Sequence, residues 1–82
     1  MERITEIIND WDPIGFFPMA PKDEYVNEIK KIYDYVYGNQ NINIRPLAET
    51  ISRIFRETFG TDVYDENMEQ CMLVAEKILK IK

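Results

Sequence analysis

Four stretches of this 82-residue sequence repeat apolar side chains at the α-helical period, which constrains the chain to a packet of helices. Ile4, Ile7, Ile8 and Trp11 fall at i, i+3, i+4 and i+7, with Glu2, Glu6 and Asp10 on the other side of the same segment. A second helix is predicted from about Lys22 to Tyr37, on Tyr25, Ile29, Ile32, Tyr33 and Val36. Gly38 is its expected stop, because glycine enters the left-handed cap conformation without a Cβ penalty. A third, from about Pro46 to Phe59, carries Leu47, Ile51, Ile54, Phe55 and Thr58 and is closed by Gly60. Its start is set either by Asn43 as a cap or by Pro46 in the first turn, where a missing N–H costs nothing. The fourth is expected to follow Asp65 as N-cap and to run to the C-terminus. Met68, Cys71, Met72, Ala75, Ile78 and Leu79 form its stripe, and Leu73 lies off it. Asp65, Glu66 and Glu69 near its start and Lys77, Lys80 and Lys82 near its end agree with the helix dipole. No segment holds a strand pattern; Asn41 to Arg45 alternates weakly and reads as a connection.

The longest irregular segment, Asp12 to Pro21, joins the first two helices. Asp12-Pro13-Ile14-Gly15 has the residue preferences of a type I turn, and Pro13 drives Asp12 out of the right-handed helical region, so the first helix should end near Trp11. Phe16, Phe17 and Met19 follow, with Pro18 and Pro21 stiffening the path. A loop with that much apolar mass is expected to fold down on the core as a lid beside Trp11; the competing reading is an exposed aromatic knob for a partner. The expected architecture is all-α: a compact four-helix domain over residues 1–82, with a short first helix and an apolar Trp-Asp-Pro turn packed on the core.

Composition narrows the functions. The chain has no histidine, which excludes imidazole metal sites and any base whose ordinary titration lies near neutral pH. Its lone cysteine, Cys71, cannot form an internal disulfide and sits in an apolar stripe with no base to activate it, so it is assigned to the core. Ten Lys and Arg against fifteen Asp and Glu give a net charge of −5, a poor match to the phosphate backbone of a nucleic acid. No apolar run reaches signal-peptide or membrane-span length, so a cytoplasmic protein that engages neither membrane nor nucleic acid is expected.

Two groups of candidate residues remain. Asp10, Asp12, Asp23 and Glu24 bracket the apolar loop, and four gathered carboxylates would hold a hard cation or divide acid and base roles between them. Their simpler roles are turn initiation for Asp12, a helix start for Asp23 and Glu24, and solvation for Asp10. No Ca²⁺-loop spacing is present, and no metal or cofactor is assigned. Phe16, Phe17 and Tyr35, with Asp12, Asp23 and Glu24, form the candidate interaction surface. Tyr35 lies opposite the apolar stripe of its helix and is expected to be exposed, and exposed tyrosines suit protein interfaces.

Trp11-Asp12-Pro13-Ile14-Gly15, then Pro21 and Asp23-Glu24-Tyr25, resembles the hallmark of the YugE-like family of small bacterial proteins. Leu47-Ala48, Ile51, Phe55, Phe59-Gly60, Cys71, Ala75 and Ile78-Leu79 are similar to the rest of that domain. Members often carry another acid after the tyrosine, where this chain has Val26-Asn27. The resemblance implies a compact bacterial helical domain and brings no catalytic residue. By size and charge alone the chain also looks similar to immunity proteins that neutralise toxins. The resulting expectation is a non-catalytic interaction module, of immunity type in its sharpest form, with a protein partner, basic in that form. The alternative is a small metal- or carboxylate-dependent enzyme using the acids near residues 10–24.

Overall fold

A computed structural model describes residues 1–21 and 23–82; the expected helix start at Lys22 lies outside the described residues. Four helices follow one another, α1 (Glu2–Trp11), α2 (Val26–Gly38), α3 (Ile44–Phe59) and α4 (Met68–Ile81), with no strand among the described residues. Backbone packing runs α1 to α2, α2 to α3, α3 to α4 and back from α4 to α1, so each helix lies between two neighbours around a shared interior. That interior is built from the predicted stripes: Ile4 and Ile8, Ile29, Ile32 and Val36, Leu47, Ile51 and Phe55, and Cys71, Ala75 and Ile78 are all buried. The radius of gyration is 11.8 Å, close to the ~12 Å of a folded chain of this length.

The helix ends show where local sequence rules were overruled. α2 begins at Val26, after a turn over residues 23–25 that places Tyr25 at the N-cap position. Gly38 is the last residue of α2 and does not take the left-handed cap. The chain instead leaves through extended Asn39, whose Nδ2 donates to the Tyr35 carbonyl at 2.7 Å while Lys82 Nζ donates to the Asn39 carbonyl at 2.8 Å. Gly60 ends α3 as expected, at φ 80°, with its N–H on the Arg56 carbonyl. Asn43 occupies the N-cap position of α3 but its side chain makes no capping hydrogen bond, and Pro46 lies in the first turn as the second expectation had it. α4 is capped by Asn67, not Asp65: Asn67 is extended and its side-chain oxygen accepts from Gln70 N at 3.1 Å, while the preceding Glu66 is held by α3.

Burial departs from the stripes on α2, α3 and α4. Thr58 is exposed, because α3 directs Phe55 and Phe59 inward at its end. Val74 joins the core on α4, while Leu73, off the stripe as expected, is exposed. On α2 the Glu28–Ile32–Tyr35 edge is turned inward. Tyr35 is therefore half-buried against the core instead of exposed, and Tyr37, its ring tilted against Tyr33 at 4.6 Å, takes the outer position. The same rotation buries Glu28, whose Oε1 has no hydrogen-bond partner among the described residues.

Candidate functional site

Asp12 organises the loop between α1 and α2. Pro13 forbids a further helical turn, and Asp12 takes φ 47°, a left-handed cap that aspartate tolerates better than most residues, with its N–H on the Ile8 carbonyl. Gly15 N–H closes the predicted turn on the Asp12 carbonyl at 3.1 Å. The Asp12 carboxylate then collects three donors: Phe16 N–H at 2.9 Å, Phe17 N–H at 3.0 Å and the Tyr25 hydroxyl at 2.6 Å. Tyr25 in turn accepts from Ile14 N–H at 3.1 Å. Burial opposes ionisation of Asp12, but the bonds from Tyr25, Phe17, Phe16 and Gly15 outweigh it and hold its carboxyl below the ordinary value of 3.8. Burial, reinforced by the neighbouring Asp12 carboxylate, pushes the Tyr25 hydroxyl upward.

Above this clasp the loop is an aromatic lid. The Tyr25 ring meets four others: Phe16 at 5.4 Å, Phe17 at 5.7 Å, Phe55 at 5.7 Å and Phe59 at 6.2 Å between centroids. Trp11 packs edge-on against Phe55 at 5.3 Å. The turn is packed on the core: Phe16, Phe17 and Trp11 are half-buried against it, and Met19, at 93% exposure, is the apolar tip.

Of the candidate acids, Asp12 faces inward into the clasp, while Asp10, Asp23 and Glu24 are exposed. Among the described residues no three carboxylate or thiol groups converge on a point where a metal ion would fit. Cys71 is fully buried, and burial pushes its thiol up, against the lowering effect of contacts to Tyr64 and Ser52. It belongs to a polar seam that the sequence did not reveal. The Ser52 hydroxyl donates to the Glu66 carboxylate, which also pairs with Arg56 at 2.9 Å, and the Tyr64 hydroxyl lies 3.4 Å from Ser52 Oγ and 3.3 Å from Cys71 Sγ. Ser52 follows Ile51 directly, and a single hydroxyl beside an apolar position gives no periodic signal. For Tyr25 the signal was present, since it falls on the α2 stripe, but the stripe speaks for the ring and not for the hydroxyl.

The outer face of α1 carries a different arrangement. Glu2, Glu6 and Asp10 lie at i, i+4 and i+8 and therefore form one exposed acidic row. Thr5, Glu6, Asn9 and Asp10 line a groove of about 620 Å³ that ends on Phe17 of the lid. A second opening continues from it along Thr5 and Glu6 to Glu2 and Met1. No ion pair among the described residues neutralises the three acids. Phe17 is thus the one residue of the candidate interaction surface that borders this groove.

No helix of the described residues is long and apolar enough to cross a membrane. No match to this chain occurs among curated proteins or among solved structures. A family model covers residues 3–82, nearly the whole length, including the Trp11–Gly15 turn, the lid and the acidic row from Glu6 onward. The chain belongs to the family described as a domain of unknown function, DUF1871.

Proposed function

We propose that this protein is a non-catalytic interaction module whose working surface is the acidic face of α1, and that its partner presents a basic segment. The observation that carries this reading is the unneutralised row Glu2, Glu6 and Asp10 beside a groove that ends on an aromatic ring. Such a groove offers charge to attract and orient lysines or arginines, and Phe17 gives one apolar side chain a place to rest. The perturbed groups elsewhere support a binding role over acid–base chemistry. Asp12 is held ionised, the Cys71 thiol and Tyr25 hydroxyl are held protonated, and all three are committed to internal contacts. Within this reading the chain is a YugE-like, cytoplasmic bacterial protein of immunity type, neutralising a basic target by covering it.

The test is a titration with a short lysine-rich peptide carrying one phenylalanine, followed by amide NMR. Shifts should cluster on Thr5, Glu6, Asn9, Asp10 and Phe17, and Glu2→Gln with Glu6→Gln should weaken binding about tenfold, in line with the loss of two partly screened charge contacts. Affinity should also fall between low and physiological salt. Shifts confined to other faces, or an affinity indifferent to salt and to the two substitutions, would remove α1 as the working surface.

A further inference from the structure

The lid and the α1 groove meet at one residue, Phe17, and the supports of that residue lie outside the groove. The two adjacent rings of the lid diverge. Phe16 packs on Tyr25 and Phe59, toward the core, whereas Phe17 borders the groove beside Thr5, Glu6, Asn9 and Asp10. Among the described residues Tyr25 is the one ring that Phe17 meets, edge-on at 5.7 Å, and its N–H is held by Asp12 Oδ2 at 3.0 Å. Both supports lead back to Asp12. Its other oxygen, Oδ1, accepts from Phe16 N–H at 2.9 Å and from the Tyr25 hydroxyl at 2.6 Å. One carboxylate therefore fixes two consecutive amides and the tyrosine that backs the Phe17 ring. A carboxylate bound through both oxygens has a defined plane, which sets where Phe17 leaves the backbone. Neither Asp12 nor Tyr25 lines the groove itself.

We propose that Asp12 and the Tyr25 hydroxyl are positioning residues for the groove: they hold the Phe17 ring as its end wall and so set a preference for an apolar side chain beside the partner's basic residues. The inference rests on the basic-partner reading and adds to it the source of selectivity. Charge alone accepts any run of lysines or arginines, since screened attraction at the α1 row is indifferent to the side chains between the charges. A ring fixed in advance can discriminate, because its ordering cost is met on folding and not on binding. The same ring on a loose loop would lose much of that contact to the entropy of ordering it. The Tyr25 hydroxyl separates these cases. It touches neither the groove nor the partner, and its removal leaves the ring behind Phe17 present.

The test crosses protein variants with two lysine-rich peptides that differ only in carrying phenylalanine or alanine at one position. Wild type should prefer the phenylalanine peptide by about three- to tenfold, the scale of one aromatic pair. Phe17→Ala should abolish that preference. Tyr25→Phe and Asp12→Asn should each remove most of it, while both peptides keep their salt dependence. Tyr64→Phe, which alters the other connection, should leave the ratio as in wild type. A merely structural role for the Tyr25 hydroxyl would weaken both peptides alike and leave their ratio unchanged. Far-UV circular dichroism confirms that each variant keeps its helices. The peptide-free protein gives a second readout: the Phe17 amide should exchange its hydrogen at least about tenfold faster in Tyr25→Phe than in wild type, and at the wild-type rate in Tyr64→Phe. Failure of both peptides to bind wild type would overturn the basic-partner reading and the preference with it, while faster Phe17 exchange in Tyr25→Phe would still support the placement of the ring by Asp12 and Tyr25. Equal binding of the two peptides by wild type, or a ratio that survives Tyr25→Phe and Asp12→Asn, would overturn the proposal and leave the basic-partner reading standing. So would a Phe17 amide indifferent to Tyr25→Phe.

Discussion

The connection from α1 to α2 and the connection from α3 to α4 are each tied down by one carboxylate and one tyrosine, but the two ties run in different directions. In the first, Asp12 turns inward on its own loop and gathers Phe16 N–H, Phe17 N–H and the Tyr25 hydroxyl, all within 13 residues. In the second, Glu66 reaches out of its connection to Ser52 and Arg56 on α3, and Tyr64 sits over Ser52 and Cys71 at longer distances. The first tie sets the backbone of a loop whose only other anchors are its half-buried rings and a few turn bonds among the described residues. The second fastens together two helices that already share a large apolar face. Charge-assisted bonds matter most where packing gives least, so the two carboxylates should differ greatly in what their loss costs.

That difference is the largest effect to be measured. Asp12→Ala strands two loop amides and the Tyr25 hydroxyl and puts alanine in a left-handed conformation; an unfolding cost of about 3–5 kcal/mol is expected. Glu66→Ala frees Arg56, which is 44% exposed, and leaves Ser52 its contact with Tyr64, so the cost should stay near ~1–2 kcal/mol. Urea titration of both variants checks the contrast. Equal costs would mean that the lid is held by its aromatic rings and that the clasp merely accompanies them.

The tyrosine pair sharpens the same comparison at smaller scale. Tyr25→Phe keeps a ring that touches four others but removes the 2.6 Å bond to Asp12 and orphans Ile14 N–H, for an expected loss of about 1.5–3 kcal/mol. Tyr64→Phe removes only contacts of 3.3 and 3.4 Å and should cost under about 1 kcal/mol. Thermal unfolding of the two variants side by side is sufficient to rank them.

What the sequence could and could not announce follows from the same distinction between local and distant ties. The Asp12-Pro13-Ile14-Gly15 turn was legible because its determinants are adjacent: proline forbids the helix and glycine closes the turn. The four apolar stripes were legible because burial enforces their period. Asp65 and Asn67 are both good caps by residue type, and the choice between them was settled by Glu66 bonding to α3, a contact no local rule contains. The facing of α2 was missed for a related reason. Tyr35 was expected to be exposed because it lies opposite the stripe, yet the helix turns that edge inward and buries Glu28 beside it. The acidic row on α1 was visible as residue types opposite a stripe; that it borders a groove ending on Phe17 depends on how the lid folds back.

The smallest expected effect is in the pH dependence of stability, and it separates the two ties most cleanly. The Asp12 carboxyl is held below its ordinary 3.8 in the folded chain, so the unfolded chain takes up its proton first as pH falls. Its contribution is therefore fully present above about that ordinary value and is lost as pH drops through the lower folded value. Asp12→Asn should remove at most one proton's share of the acid limb. On the alkaline side the sign reverses. Cys71 is raised above its ordinary 9.0 by burial, so its stabilising contribution is complete below that value and declines as pH climbs toward the folded one. Cys71→Ala should flatten the start of that decline without touching the acid limb. Chemical denaturation at a series of pH values reads both limbs in one set of samples. An acid limb unaltered by Asp12→Asn would show that the three donors do not hold the carboxylate in its charged form, and the clasp would then be no stronger than the seam beneath α3 and α4.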